Sequence, residues 1–141
     1  MILAGQKELV ACWVADRIRD MGEPPARDYE AIGVTKGDVL IGGVIYSEFR
    51  EISRGEHDIR MHCAGEPGWL TRQTLRAFFE YPFRQLAAVR VTTTVAKGNK
   101  KARALNERLG FVHEGTIRHG YGRGRDGILY GMLVDECTWI K

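Results

Sequence analysis

The chain has 141 residues, 44% of them hydrophobic and 28% charged, with a formal net charge of +3. These values are typical of one globular domain, so we expect a single domain spanning residues 1–141, and the small net charge does not by itself indicate a nucleic-acid partner. Three cysteines without a CxxC pair, four histidines without an HExxH motif, no apolar run of ~20 residues and no signal peptide at Met1 favour a cytoplasmic protein with free thiols, no metal site and no membrane segment.

The first half of the chain predicts one helix and three strands. Residues 6–21 form the helix, and strands at 29–35 and 39–49 form a hairpin in which Gly42-Gly43 indicates a bulge or a close backbone approach. A polar connection over 50–56 leads to a half-buried strand at 57–64. The helix is expected to bury one apolar face, made of Leu9, Trp13, Ile18 and Met21 with Val10 and Val14 beside them.

The second half predicts a helix at 71–87, a strand at 89–98 and a second helix at 99–110. A final hairpin follows, with its two strands at 111–118 and 128–140. Pro82 should bend the first of these helices, because it removes one backbone hydrogen bond. Asn99 is a residue type that caps helices, and Gly110 stands where a helix stops. The order α-β-β-β-α-β-α-β-β indicates an α+β fold, a mixed sheet with helices packed on it. The inward residues of the first long helix should be Leu75, Phe78, Phe79, Phe83 and Leu86.

The second of these helices carries the pattern of a known family. Asn99 is followed by the small Ala102 three residues on, by the apolar Leu105 six residues on, and then by Leu109-Gly110-Phe111 and Glu114-Gly115. This run resembles the second cofactor-binding segment of the GNAT-type N-acetyltransferases. The stretches 76–86 and 126–139 resemble the first long helix and the last strand of the branch that acetylates ribosomal-protein N-termini, and the compact chain resembles small members encoded by phages and prophages.

The resemblance implies a mixed, mostly antiparallel sheet flanked by helices, with a V-shaped opening between two parallel strands, 57–64 and 89–98. Acetyl-CoA, the acetyl donor, would lie in this opening. Its pantetheine arm would follow the first strand, and its pyrophosphate would meet the N-terminus of the next helix, where unpaired N–H groups bind phosphate. The cofactor-binding residues implied in this way are Met61, Cys63, Gly68, Trp69, Leu70, Thr71, Arg72, Asn99, Ala102 and Leu105.

The sequence departs from the pattern of the family in two segments, the pyrophosphate loop and the second helix. In the pyrophosphate loop, Glu66, Trp69 and Thr71 stand where the family has a basic residue or Gln and two small residues, so we expect the backbone amides of 68–72 and the side chain of Arg72 to serve instead. Asn106 stands where many members have the Tyr that protonates the departing thiolate. Asn is not an acid, so it could hydrogen-bond the sulfur, or water could deliver the proton.

Acetylation of an amine requires a base and a donor to the developing oxyanion. His62 is the first candidate for the base, because its ordinary pKa of about 6.5 leaves it largely neutral at pH 7. Glu48 and Asp58, on neighbouring strands, are the alternatives, and a histidine that only packs within the sheet is the competing interpretation. A backbone N–H near Met61 or Cys63 is the expected oxyanion donor. Cys63 itself is expected to be a small buried residue and not a nucleophile.

The loop between the last two strands leaves other functions open. Residues 122–127 match GxGxxG, but within a hairpin this indicates turn glycines and not a dinucleotide site. The basic residues beside them are those of a solvated loop or of a lip that attracts an acidic substrate. The rivals to an acetyltransferase are therefore a nucleic-acid-binding module and a catalytically silent acyl-CoA-binding protein. The sequence does not identify the amine acceptor, and the C-terminal hairpin could form a homodimer.

Overall fold

A computed structural model describes every residue from Met1 to Lys141. It contains one seven-stranded sheet in the order β1-β2-β3-β4-β5-β7-β6. The strands are β1 (Ile2–Leu3), β2 (Tyr29–Lys36), β3 (Val39–Ser53), β4 (Glu56–Gly65), β5 (Arg90–Ala96), β6 (Val112–Ile117) and β7 (Gly127–Leu133), and the helices are α1 (Lys7–Arg17), α2 (Arg72–Glu80) and α3 (Lys100–Leu109). Neighbouring strands are antiparallel except β4 and β5, which confirms the predicted mixed, mostly antiparallel α+β architecture.

The differences from the predicted boundaries lie at the ends of elements. β1 was not predicted, because two residues are too few to show alternation. The connection predicted over 50–56 instead extends the β3–β4 hairpin, whose strands are exposed there and therefore polar on both faces. The last strand ends at Leu133 and not at 140. There the Glu136 carboxylate accepts a hydrogen bond from the Leu133 N–H (2.8 Å) and a 3-10 turn begins.

The two parallel strands separate along their length. Their pairing begins at Asp58 and Arg90 and ends at Arg60 and Thr92, so the rest of β4 has no strand partner on that edge. Past this point the hydroxyl of Thr93 still donates to the Met61 carbonyl (2.9 Å), which is the last contact before the gap. The predicted V-shaped opening is therefore present, with its closed end at Arg60.

Helix α1 packs on one face of the sheet with only part of the face predicted for it, the part that contains Val10 and Val14. Its buried residues are Val10, Ala11, Val14 and Ala15, whereas Leu9 is 58% exposed. The reason is the glycine pair Gly33 and Gly43 beneath it: a Cβ at either would lie within 2.8 Å of a Val10 methyl group. The helix thus approaches the sheet through its small residues. The larger side chains predicted for this face lie at the edge of the contact between the helix and the sheet.

Helix α2 covers the opposite face and the main hydrophobic core. Four of its predicted inward residues, Leu75, Phe78, Phe79 and Phe83, are buried, and Leu86 packs at the edge of the same core. Pro82 lies in a π-helical turn at Tyr81–Gln85, which is where the missing backbone donor of proline was expected to disturb the helix. None of the helices is long and apolar enough to cross a membrane.

Candidate active site

A cavity of about 550 Å³ occupies the opening between β4 and β5. One wall is β4, one is β5, the floor is the first two turns of α3, and the cover is the end of α1 together with the loop between β6 and β7. The lining residues that the sequence predicted are His62, Cys63, Asn99, Ala102, Leu105 and Asn106. The fold therefore brings together six site residues that are spread over 45 positions of the sequence, counted from 62 to 106.

A second, outer cavity of about 940 Å³ continues from the first at the open end of the V. The two share Arg19, Asp20, Ala96 and Asn99. Basic side chains from the start of α3 line the outer cavity: Lys97, Lys100 and Arg103. The Nε atom of Arg103 is buried without a hydrogen-bond partner, while its Nη1 donates to the Lys97 carbonyl (3.1 Å).

Asn99 acts as the helix cap that the sequence predicted. Its side-chain oxygen accepts a hydrogen bond from the Ala102 N–H (3.1 Å), which satisfies one of the free donors of the first turn of α3. Asn99 also lines both cavities. Its side chain is therefore held at the start of α3, where the two cavities meet.

Asn106 is the only buried residue of α3, with 6% of its surface exposed. Its Nδ2 is buried and has no hydrogen-bond partner, although the residue lines the inner cavity. An unsatisfied buried donor costs about 1–3 kcal/mol, so a folded protein rarely keeps one without a use. With Arg103 Nε, this amide is one of two buried side-chain donors that no group of the chain satisfies.

His62 is half-buried on the β4 wall of the cavity. Burial lowers the pKa of its imidazole below the usual 6.5, the nearby Arg60 lowers it further, and Glu48 acts in the opposite direction. The ring is therefore neutral at pH 7, which is the state that can accept a proton. Its neighbour Cys63 is a free thiol whose pKa burial raises to about 11, so it is protonated and a poor nucleophile at neutral pH.

Comparisons with solved structures show the same architecture. Mutant forms of the spermidine/spermine N-acetyltransferase SpeG from Vibrio cholerae match with a TM-score of 0.69 and 19% identity, over 96% of this chain and 95% of theirs. An acetyltransferase assigned to the GNAT family from Desulfovibrio desulfuricans matches with a TM-score of 0.60 and 22% identity, over 75% of this chain and 69% of its own. The chain has the GNAT acetyltransferase fold.

Sequence comparison gives a partial match to the same group. A Bacillus subtilis (strain 168) protein named "Putative ribosomal N-acetyltransferase YdaF" is 39% identical over 69 residues, which is 47% of this chain. The match spans 38% of the length of that relative. No family model matches the chain. The predicted resemblance to the GNAT acetyltransferases is therefore confirmed at the level of the fold, with a curated relative in the ribosomal branch.

The residues predicted for the pyrophosphate loop of the GNAT fold lie outside both cavities. Trp69 is buried in the main core against Phe78, where it fills the space left by Gly42 and Gly65, since a Cβ at either glycine would overlap the indole. The backbone N–H of Trp69 donates to the Glu66 carbonyl (3.1 Å). The side chain predicted as a cofactor contact thus belongs to the core, and the close approach predicted at Gly42-Gly43 is explained on both faces of the sheet.

Helix α2 also uses some of the N–H groups that were expected to bind phosphate. Thr71 and Thr74 form a capping box, in which the Thr71 N–H donates to the Thr74 hydroxyl (2.8 Å) and the Thr74 N–H donates to the Thr71 hydroxyl (3.1 Å). The N–H groups of Gly68, Leu70 and Arg72 take part in no hydrogen bond within the chain. Only part of the predicted stretch is therefore free to meet an anion.

The two carboxylates considered as bases lie away from the cavity. Glu48 is 66% exposed and pairs with Arg60 (3.1 Å). Asp58 is buried at the closed end of the V, where it accepts a hydrogen bond from the Thr92 hydroxyl (2.8 Å) and lies 3.5 Å from Arg90 Nε. Neither lines the inner cavity, so the role of either as a base stays a prediction.

Tyr121 is a cavity residue that sequence reasoning placed in a solvated loop. Its hydroxyl donates to Thr94 Oγ1 (3.2 Å) on the β5 wall. The loop that carries it is held by internal hydrogen bonds, such as the Gly124 N–H to His119 Nδ1 (2.7 Å), and by Arg125, which pairs with Asp20 at 2.9 and 3.1 Å. In the sequence, Tyr121 is only one aromatic residue among turn glycines. Its place in the cavity becomes clear from its contact with Thr94 of β5 in the folded structure.

Proposed function

We propose that this chain is a single-domain acetyl-CoA-dependent N-acetyltransferase that transfers the acetyl group to a primary amine by direct attack. The observation that carries the proposal is a cavity of about 550 Å³ between two parted parallel strands, lined by His62 on one strand and by Asn99, Ala102, Leu105 and Asn106 from the start of α3. The fold and the partial match to a ribosomal N-acetyltransferase support the same reaction class.

The residues present fit acetyl-CoA. The edge of β4 after Arg60, including Met61 and Cys63, has no strand on its β5 side and can pair with the amide groups of a pantetheine arm. Ala102 and Leu105 give the opposite side a small and an apolar surface. At the open end, the free N–H groups of Gly68, Leu70 and Arg72 suit the pyrophosphate, with Trp69 and Thr71 fixing their positions, and Lys97 and Lys100 suit the 3′-phosphate.

The reaction needs a proton removed from nitrogen and a proton given to sulfur. We assign the first role to His62, which is neutral and lines the cavity. The amine nitrogen forms a bond to the acetyl carbon, the carbon–sulfur bond breaks, and the sulfur leaves as a thiolate that takes up a proton. Tyr121 is the titratable hydroxyl that faces the same space, and we assign the second role to it. Glu48 is the less favoured base.

Asn106 is assigned to the donation of one hydrogen bond from Nδ2 to the reacting thioester. Hydrogen-bond donors already fixed before the reaction stabilise developing negative charge without reorganisation. Asn106 cannot release a proton, so its role and that of Tyr121 are complementary. A nucleic-acid-binding module is less favoured, because Arg125 of the basic loop is engaged by Asp20 and does not stand free on the surface.

The proposal is tested by ligand-dependent stability and by acetyl transfer. A ligand that binds only the folded state raises the melting temperature, so acetyl-CoA should stabilise the protein and mixed-sequence oligonucleotides should not. Release of the CoA thiol in the presence of a set of primary amines measures transfer. Stabilisation by acetyl-CoA without transfer to any amine would favour the silent acyl-CoA-binding protein, and stabilisation by oligonucleotides alone would favour the nucleic-acid module.

A further inference from the structure

The inner cavity is positively charged. Arg17 and Arg19 at the end of α1, and Arg60 on β4, line it together with one carboxylate, Asp20. Arg17 and Arg19 belong to none of the six ion pairs of the chain, and the guanidinium of Arg17 is stacked on Trp13, 3.5 Å from the ring centre. Neither arginine forms an ion pair of its own, although Arg19 lies near enough to Asp20 to help lower the pKa of that carboxyl group.

The acidic groups near the cavity are already engaged. Both carboxylate oxygens of Asp20 accept hydrogen bonds from Arg125, at 2.9 and 3.1 Å, so this pair is bidentate. Glu48 pairs with Arg60, which itself lines the cavity, at 3.1 Å. A bidentate Arg–carboxylate pair occupies both oxygens and leaves little attraction for another cation. The cavity thus offers no free carboxylate to a positively charged acceptor.

We propose that the acceptor is an amine that carries a carboxylate or phosphate of its own, and that Arg17 and Arg19 hold this anionic group at the end of α1. The inference rests on the proposed acetyltransferase function and names its substrate class. A guanidinium binds carboxylate and phosphate through paired N–H donors. A polyamine is excluded by the same charges, since each added ammonium group would be repelled by two arginines that form no ion pair of their own.

The first experiment compares acceptors that differ only in charge. Peptides beginning Ser-Asp and Ser-Glu are paired with Ser-Asn and Ser-Gln, aminoethyl phosphate is paired with aminoethanol, and spermidine represents the polycations. We expect kcat/KM to be about tenfold higher for the anionic member of at least one pair, and spermidine to be the poorest acceptor. The peptide and phosphate pairs distinguish an acidic peptide from a small phosphorylated amine as the source of the anion.

The second experiment changes the protein. The double substitution Arg17→Gln and Arg19→Gln should lower kcat/KM for the anionic acceptors about tenfold more than for their neutral counterparts. Arg54→Gln removes one positive charge at the exposed tip of the β3–β4 hairpin and should leave the ratio unchanged. Arg125→Gln frees Asp20 and should shift preference towards spermidine.

The results separate the two levels of the inference. Equal kcat/KM within every pair, or spermidine as the best acceptor, would overturn the acceptor class and leave the acetyltransferase intact. Absence of acetyl-CoA binding and of transfer to any amine would overturn both. A charge preference that is lost in the arginine double variant but kept in Arg54→Gln supports the proposal.

Discussion

Asn106 is a residue at which stability and the proposed function oppose each other. Its Nδ2 is buried with no partner, so the folded chain carries a desolvation cost that a ligand would remove. Asn106→Leu keeps the branched shape of the side chain and removes the unsatisfied group, and we expect the free energy of unfolding to rise by about 1 kcal/mol. Acetyl transfer should fall at least about tenfold, the weaker end of oxyanion-donor effects.

Urea unfolding and steady-state kinetics on the same preparation measure the two effects of Asn106→Leu. A variant that is more stable but equally active would show that the amide has no part in the reaction. A less stable variant would show that the cavity is wet in solution and that water satisfies the amide.

His62 is the residue whose role predicts a pH dependence. Its pKa in the folded protein lies below 6.5 because burial disfavours the charged ring, so kcat should rise with pH through that lower value and be level by pH 7. His62→Gln should lower kcat about tenfold or more and remove this limb, with acetyl-CoA affinity nearly unchanged. An unchanged profile would transfer the role to Glu48 or to water.

The same pKa shift has a consequence for stability. A histidine with a lowered folded pKa binds protons more readily in the unfolded chain, so its contribution to stability is present above pH 6.5 and is lost as pH falls through the folded pKa. His62→Gln should therefore flatten the decline of the melting temperature over this acid range. Thermal unfolding at a series of pH values checks the slope.

At the scale of elements, two helices begin near the proposed donor site with the same device. Thr71 caps α2 and Asn99 caps α3, each through a side-chain oxygen that accepts from the backbone three residues on. Thr71→Ala and Asn99→Ala should each lower the free energy of unfolding by about 1 kcal/mol. The two variants should lose about the same stability. A difference between their ligand affinities would therefore come from where each residue lies relative to the ligand and not from a difference in folding.

Calorimetric titration with acetyl-CoA and with acetylated pantetheine, which lacks the nucleotide phosphates, separates the two caps. Asn99 lines both cavities, so Asn99→Ala should weaken both ligands. Thr71→Ala loosens the turn proposed to hold the pyrophosphate and should weaken acetyl-CoA alone. Equal affinity of both variants for both ligands would place the donor elsewhere.

At the scale of the whole molecule, the closed end of the V depends on one buried carboxylate. Asp58 is 2% exposed and connects three strands through Thr92 at 2.8 Å, Arg90 at 3.5 Å and Arg50 at 3.6 Å. Arg90 in turn pairs with Glu114 of β6 at 2.7 Å. The strands are thus fixed at the point where they begin to separate, and the width of the cavity follows from that point.

Asp58→Asn removes the charge from this connection with little change of shape. We expect the free energy of unfolding to fall by about 1–3 kcal/mol, less than for a fully buried pair because Arg50 is exposed. Acetyl-CoA affinity should fall as well, since the two walls lose their common anchor. The control is Asp38→Asn, which removes one negative charge from an exposed turn. An Asp58→Asn protein indistinguishable from this control in urea unfolding would contradict the role.

Much of the fold could be predicted from the sequence because its signals are local. The β-branched run of β5, the alternation in β4, the cap at Asn99 and the glycine that ends α3 each depend on neighbours a few residues away. The GNAT-like order of elements follows from them, as does the position of Pro82 in a distorted turn. The same local signals placed His62, Asn99 and Asn106 on elements that meet at one cavity.

What the sequence left undecided depends on contacts between distant segments. Trp69 looks like an obstacle in a phosphate loop until Gly42 and Gly65, on two other strands, are seen to make room for its ring. The inward face of α1 is chosen by Gly33 and Gly43, which no helical periodicity reveals, and Tyr121 enters the site through a loop whose course is set by Asp20, 105 residues from Arg125. Local sequence determined the elements, and the resemblance of several segments to a known family suggested the reaction class. Tertiary packing decided which side chains face the cavity and its charge, because burial and pairing are properties of residues that the chain brings together only on folding.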